Sequence, residues 1–201
     1  MTSILKADTI QDTDGNNIIN ESGNTITIGA SGDTVTLGSG ATNNLGITMA
    51  DQFRLSANTT APSGDLTSNL ERVDTSGQGT LGTGMTESSG IFSFPSTGIY
   101  LVEYAFCLSN VSAGTEDRAQ VILKATINNS DYTTITNPDT AVDGSANGAT
   151  SVGYSSSLID VTDTSNVKVK FTAQSFKSGT TLSGSTSENS THFTFIRLGD
   201  T

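Results

Sequence analysis

The stretch Ile99–Leu108 leaves the chain few choices of fold. Tyr100, Val102, Tyr104, Phe106 and Leu108 recur at every second position, and Ile99, Leu101, Ala105 and Cys107 fill most of the positions between. A period of two marks an extended strand, whose side chains alternate between the faces of a sheet. Apolar residues on both faces predict a central strand covered on both sides. Just upstream, Pro95 and Gly98 punctuate a turn that joins it to the preceding run Ile91-Phe-Ser-Phe94.

The same period returns along the chain. Val121, Leu123, Ala125 and Ile127 alternate with Gln120, Lys124 and Thr126. Val167, Val169, Phe171 and Ala173 alternate with Lys168, Lys170 and Thr172, and Phe193 and Phe195 alternate with His192 and Thr194. Weaker strand patterns lie at 70–73, 131–135 and 151–160. No window carries the spacing of an amphipathic helix. Hydrophobic residues make up only 33% of the chain, a share that can mean disorder. Here they are gathered into alternating runs, so the low share reflects polar outer faces and Gly/Ser/Asn turns. Eight or so strands predict an all-β sandwich of jelly-roll type over residues 51–201, which holds all eight Phe and all four Tyr.

Residues 1–50 differ. Asn24-Thr-Ile-Thr-Ile-Gly29 recurs as Asp33-Thr-Val-Thr-Leu-Gly38, and each copy alternates Thr with an aliphatic residue. Two such units cannot bury their stripe alone, because stacked repeats need about three or more copies. Three chains wound about a common axis would place Ile26, Ile28, Val35 and Leu37 inside as a stalk core. The expectation is an N-terminal β-rich stalk or arm, residues 1–50, leading into the head.

Nine basic residues face twenty acidic ones, for a net charge of −11. That balance argues against nucleic-acid partners, which require Lys and Arg to neutralise phosphates, and against docking on anionic lipid. No apolar run has the length of a membrane span and no signal peptide is visible, so the chain reads as soluble and made in a cytoplasm, with no membrane insertion. The lone Cys107 allows no intrachain disulfide and reads as a small buried hydrophobe. The lone His192 excludes a multi-His metal site and reads as a strand histidine. Asp12-Thr-Asp-Gly-Asn-Asn17 has half the ligands of a calcium loop and reads as a polar turn. Glu116-Asp117-Arg118 reads as a solvated turn with a local ion pair. No catalytic constellation, cofactor motif or metal-ligand set is present in the sequence, so no enzyme activity and no cofactor is expected.

Over residues 51–201 the chain resembles the trimeric jelly roll of the complement C-one-q globular head and tumour-necrosis-factor superfamily. The resemblance is carried by Ile91-Phe-Ser-Phe-Pro-Ser-Thr-Gly-Ile-Tyr100, Val121-Ile-Leu-Lys124, Ser157-Leu-Ile-Asp-Val161 with Asn166-Val-Lys-Val-Lys-Phe171, and Ser190-Thr-His-Phe-Thr-Phe-Ile-Arg197. At the termini, Ser3-Ile-Leu-Lys-Ala-Asp-Thr-Ile-Gln-Asp12 with Gly15-Asn-Asn-Ile-Ile19 and the Thr-Ile-Thr-Ile-Gly repeat, and Phe195-Ile-Arg-Leu-Gly-Asp-Thr201, resemble tail-fibre-like structural proteins of marine bacteriophages, cyanophages especially. Together the resemblances imply a homotrimer on a virion, held to other virion structural proteins by its N-terminal arm. Tyr100, Tyr104, Phe106, Phe193 and Phe195 are then candidates for either inter-subunit contact or core. Three readings follow: a host-attachment fibre or knob that binds a surface glycan or protein, a capsid decoration protein, and a polysaccharide depolymerase. The long polar loops at 109–118, 136–151 and 174–190 would carry recognition in the first.

Overall fold

The computed structural model describes residues 46–110, 116–143 and 149–201. They belong to a compact unit running from Asn44 to Thr201. The expected stalk residues Ile26, Ile28, Val35 and Leu37, and the Asp12–Asn17 turn, lie outside the described residues.

The described residues form fourteen strands: β1 (Met49–Leu55), β2 (Thr59–Thr60), β3 (Gly64–Asp65), β4 (Leu70–Arg72) and β5 (Thr86–Ser88). There follow β6 (Ile91–Ser93), β7 (Gly98–Asn110), β8 (Glu116–Thr126), β9 (Thr133–Thr136) and β10 (Asp139–Val142). The last four are β11 (Thr150–Val161), β12 (Lys168–Gln174), β13 (Thr180–Leu182) and β14 (His192–Gly199). They exceed the eight expected because short pieces of two to four residues flank the main strands, too brief for periodicity to reveal.

Two antiparallel sheets face each other. In sheet I, β7 pairs with β11 on one side and with β14 and then β13 on the other, while β1 lies between β14 and β4. In sheet II, β12 lies between β8 and β6, with β3 beside its far end, and β9 and β10 continue the sheet beyond β8. The register of β7 and β11 runs unbroken from Gly98↔Val161 to Ser109↔Thr150. A long strand of alternating large apolar residues has this one solution: it runs through the middle and turns its aromatic face inward.

Aromatic rings fill the space between the sheets. Phe92 of sheet II meets Phe53 and Phe195 of sheet I at centroid distances of 5.2 and 5.0 Å, and Phe171 meets Phe193 at 4.1 Å and Tyr104 at 5.1 Å. Such contacts add about 0.5–1.5 kcal/mol each beyond the area they bury. The Tyr104 hydroxyl donates to the Val121 carbonyl at 2.7 Å and lies 2.8 Å from Thr136 Oγ1, so this buried polar group is satisfied. Burial raises the Tyr104 pKa despite those hydrogen bonds.

Two glycines are fixed by the packing. Gly90 adopts φ +84° at the turn before β6, where a Cβ would stand 2.2 Å from the Leu66 carbonyl oxygen. Gly153 of β11 lies under the Phe106 ring, and a Cβ there would come within 2.1 Å of it.

Candidate functional site

Tyr100, Tyr104, Phe106, Phe193 and Phe195 all lie inside the sandwich with no exposed surface. Of the two roles expected for them, they occupy the core. Any surface for another molecule must be built from other residues.

The outward face of sheet I supplies one. On β7 the residues between the aromatics, Ile99, Leu101, Ala105 and Cys107, are only half-buried, so this strand is covered by its own chain on one face and not on both. Its neighbour β11 explains the gap. Gly153, Ser155 and Ser157 point inward, opposite Phe106, Tyr104 and Val102, while Val152, Tyr154 and Leu158 point outward at 62%, 59% and 61% exposure. From Val152 to Leu158 the strand turns its small residues to the core and its apolar bulk to the outside, and only at its end do Ile159 and Val161 return to the core.

That reversal has a local cause. The rings of β7 already fill the space beneath β11, and Gly153 in particular leaves room for Phe106. A bulky inward residue would overpack the core.

The outward residues align across the sheet. Direct pairing places Leu81, Ala50, Ile196, Leu101 and Leu158 side by side across five neighbouring segments. Strands spaced about 4.8 Å apart make this an apolar belt roughly 19 Å long. Leu81 at one end is 50% exposed and Leu158 at the other 61%. The next row, Gln52, Thr194, Glu103 and Ser156, is polar. Within it Gln52 donates to Thr194 Oγ1 at 2.7 Å, and Tyr154 reaches over to donate to Glu103 Oε2 at 3.1 Å. Arg54, His192, Ala105 and Tyr154 form the third row, and beyond it Cys107 faces Val152.

Ion pairs fix β1 from both of its faces, Asp51 from the inward one and Arg54 from the outward one. Asp51, 2% exposed, accepts from Arg72 Nε at 3.0 Å, Thr80 Oγ1 at 3.1 Å and the Met85 backbone N–H at 2.7 Å. These bonds hold the 80–85 segment in place and so present Leu81 beside Ala50. Arg54, fully buried, donates to Glu71 and Asp74 at 2.7 Å each, to Thr75 and Gln78, and to the Thr186 carbonyl. Two loops thereby close over the Arg54 end of the face, leaving the belt end open.

The remaining sequence candidates fall elsewhere. His192 lies half-buried in the third row, its Nδ1 3.1 Å from the Asn189 carbonyl oxygen. Cys107 is half-buried opposite Val152. Glu116 corrects the expectation of a solvated turn: it is fully buried at the start of β8, where it accepts from the Lys177 and Arg118 backbone N–H groups at 2.6 and 3.2 Å. Nor are the ion pairs local, since Asp117 pairs with Lys177 and Arg118 with Asp139. A hydrogen bond from Lys177 holds the Asp117 pKa below its usual value. Ile127 was expected to continue the inward stripe of β8 but lies one residue past its end, 80% exposed. Of the expected recognition loops, much is strand: β8, β10 and β11 take up parts of 109–118 and 136–151, and β13 part of 174–190. A cleft of about 490 Å³ opens between Thr48, Pro95 and Arg197. Among the described residues no group of three His, Cys, Asp or Glu is placed to hold a metal ion.

No protein-family model and no curated protein matches the chain. Solved structures do. Murine APRIL at pH 8.0 superposes with a TM-score of 0.52 at 13% identity, over 75% of this chain and 98% of that one. Eiger TNF from S. frugiperda superposes with a TM-score of 0.54 at 13% identity, over 78% and 95%. The fold is therefore a jelly roll of the tumour-necrosis-factor type.

Proposed function

We propose that the chain is a non-enzymatic surface protein that assembles as a homotrimer through the outward face of sheet I. The observation that carries this reading is the reversed patterning of β11. Burying an exposed leucine contributes about 1.5–3 kcal/mol, and this face sets Leu158, Tyr154 and Val152 in solvent on a regular strand. The belt ends in a different exposed leucine at each edge, Leu81 and Leu158. Head-to-tail contacts between copies close into a ring where the rotation between them closes. The likeness in fold to the tumour-necrosis-factor type, whose members the sequence resemblance treats as trimers, favours three copies in the ring.

In its finer form, the trimer is a fibre or knob on a virus particle, used in host-cell attachment and held by the arm at residues 1–50. Support comes from the resemblance of Ser3–Asp12 and Phe195–Thr201 to phage fibre-like proteins and from the aliphatic repeat at 24–38, which suits a threefold stalk.

Sedimentation equilibrium tests the assembly: the full chain should run at three times its 20.7 kDa mass. A monomer at micromolar concentration would overturn the reading. Gold-labelled antibody against residues 51–201 then tests the setting. Label at the tail supports attachment, label over the shell supports capsid decoration, and accessible epitope with no label on particles removes both.

A further inference from the structure

The opposite side of the sandwich, the outward face of sheet II, carries a charge pattern that the assembly does not use. Lys168 and Lys170 project from β12, and Lys124 from β8 directly faces Lys170 across the strands. Lys168 stands diagonally beside Lys124. The three ammonium stems thus arise from positions about 5 Å apart across the strands and about 7 Å apart along one. Like charges placed directly opposite each other destabilise a sheet. In a chain with only nine basic residues, such clustering is a cost that the fold does not require.

The partners of these groups sharpen the point. Lys170 is answered by Asp65, with Nζ 2.8 Å from Oδ2, and it rests 4.1 Å from the centroid of the Tyr132 ring. Lys124 and Lys168 have no carboxylate within ion-pair distance. Among the described residues, every other Lys and Arg has one. The two cations without a partner are therefore neighbours on one face. Around them lie the hydroxyls of Ser93, in register with Lys168, and Thr134, in register with Lys124.

We infer that this patch binds an acidic polysaccharide, one whose sugars carry carboxylate or sulfate groups. Spaced anionic groups would meet Lys124 and Lys168, and the sugar hydroxyls would meet Ser93 and Thr134. A polyphosphate chain fits less well. Its dense charge demands many cations along the track, and beyond this patch it would meet a protein of net charge −11. Screening over about 8–10 Å at physiological salt lets a small cationic patch act locally while the acidic remainder is damped. The inference deepens the attachment reading by naming its ligand class. With sheet I turned toward the other copies, sheet II faces outward, and three weak patches on one particle gain avidity.

The test is retention of the full chain on immobilised polygalacturonate, dextran sulfate, neutral dextran and duplex DNA, over a salt series, for the natural chain and K124Q/K168Q. The natural chain should bind polygalacturonate, dextran sulfate or both, and not neutral dextran. The double substitution should weaken that binding about tenfold or more while leaving the sedimentation mass and thermal midpoint unchanged. Preference for one polymer names the anionic group. No binding to either anionic polysaccharide, equal binding by K124Q/K168Q, or equally tight lysine-dependent binding to DNA would each overturn the inference. The two proposals fail separately. A chain that adheres to host cells unaffected by K124Q/K168Q keeps the attachment reading and loses the patch. A monomer with lysine-dependent polysaccharide binding keeps the patch and loses the trimer.

Discussion

The two outer faces of this sandwich are built on strands of opposite pattern. On β12, Val169, Phe171 and Ala173 point inward and Lys168, Lys170 and Thr172 outward. On the 152–158 part of β11, ahead of the inward Ile159 and Val161, Gly153, Ser155 and Ser157 point inward and Val152, Tyr154 and Leu158 outward. Both strands obey the same alternation, and both pack on the same aromatic core. The difference lies in which side holds the bulk. A strand that keeps its bulk inside is completed by its own chain, whereas one that turns it outward leaves an apolar face for the proposed assembly. The inward faces account for the fold, and the two proposals divide assembly and recognition between the outward faces.

The strongest way to break that comparison is to charge the apolar face. L158E combined with Y154E should convert the trimer to a folded monomer. Each leucine withdrawn from an interface costs about 1.5–3 kcal/mol, so three copies lose roughly 5–9 kcal/mol from Leu158 alone, and buried carboxylates add to that. Sedimentation reads the mass, and circular dichroism should show the β signal intact. A charge change of the same kind on the other face, K168E, should leave the mass at three chains. Equal effects from both faces would mean that the outward patterns carry no division of roles.

A smaller effect comes from reversing β11 toward its own core. Gly153→Val places a branched side chain where Phe106 already stands. Overpacking of that kind costs about 1–3 kcal/mol, visible as a lower urea midpoint. Phe106→Leu in the same chain should return part of the loss, so the pair is non-additive. Simple addition of the two losses would show that Gly153 is a glycine for some reason other than the ring above it.

The legible part of this molecule was its inside. Tyr100, Val102, Tyr104, Phe106, Phe171, Phe193 and Phe195 stand at alternate positions in runs long enough to show a period, and all are buried. The interface candidates were harder to see because β11 reads Val-Gly-Tyr-Ser-Ser-Ser-Leu, with serines where a half-buried strand normally carries aliphatics. The signal was present as bulk at 152, 154 and 158, but its sidedness depends on the register with Phe106, which is a tertiary fact. Leu81 joins the belt through a single bridge held by the Asp51 network, and no local pattern announces that. The lysines at 124, 168 and 170 were visible one by one as the polar half of two strands. Only the pairing of β8 with β12 makes them a cluster.

The mildest test acts on the one carboxylate at that cluster. Burial alone would raise the Asp65 pKa, but hydrogen bonds from Lys170 and Thr172 and the charges of Lys170 and Lys124 outweigh it and hold the pKa below its ordinary 3.8. A depressed carboxylate stabilises the fold above its unfolded pKa, and the contribution is lost as pH falls through the folded value. Asp65→Asn should therefore lower stability at neutral pH and match the natural chain below that folded value. With the side chain 35% exposed, the gap stays on the scale of screened surface pairs, under about 1 kcal/mol. The same change releases Lys170 from its partner and adds one positive charge to the patch. Acidic polysaccharide should then bind more tightly, by no more than about fivefold, with the trimer unaltered. Weaker binding by Asp65→Asn would instead show that Asp65 orients Lys170 for its ligand, and the cluster would then act through geometry more than through net charge.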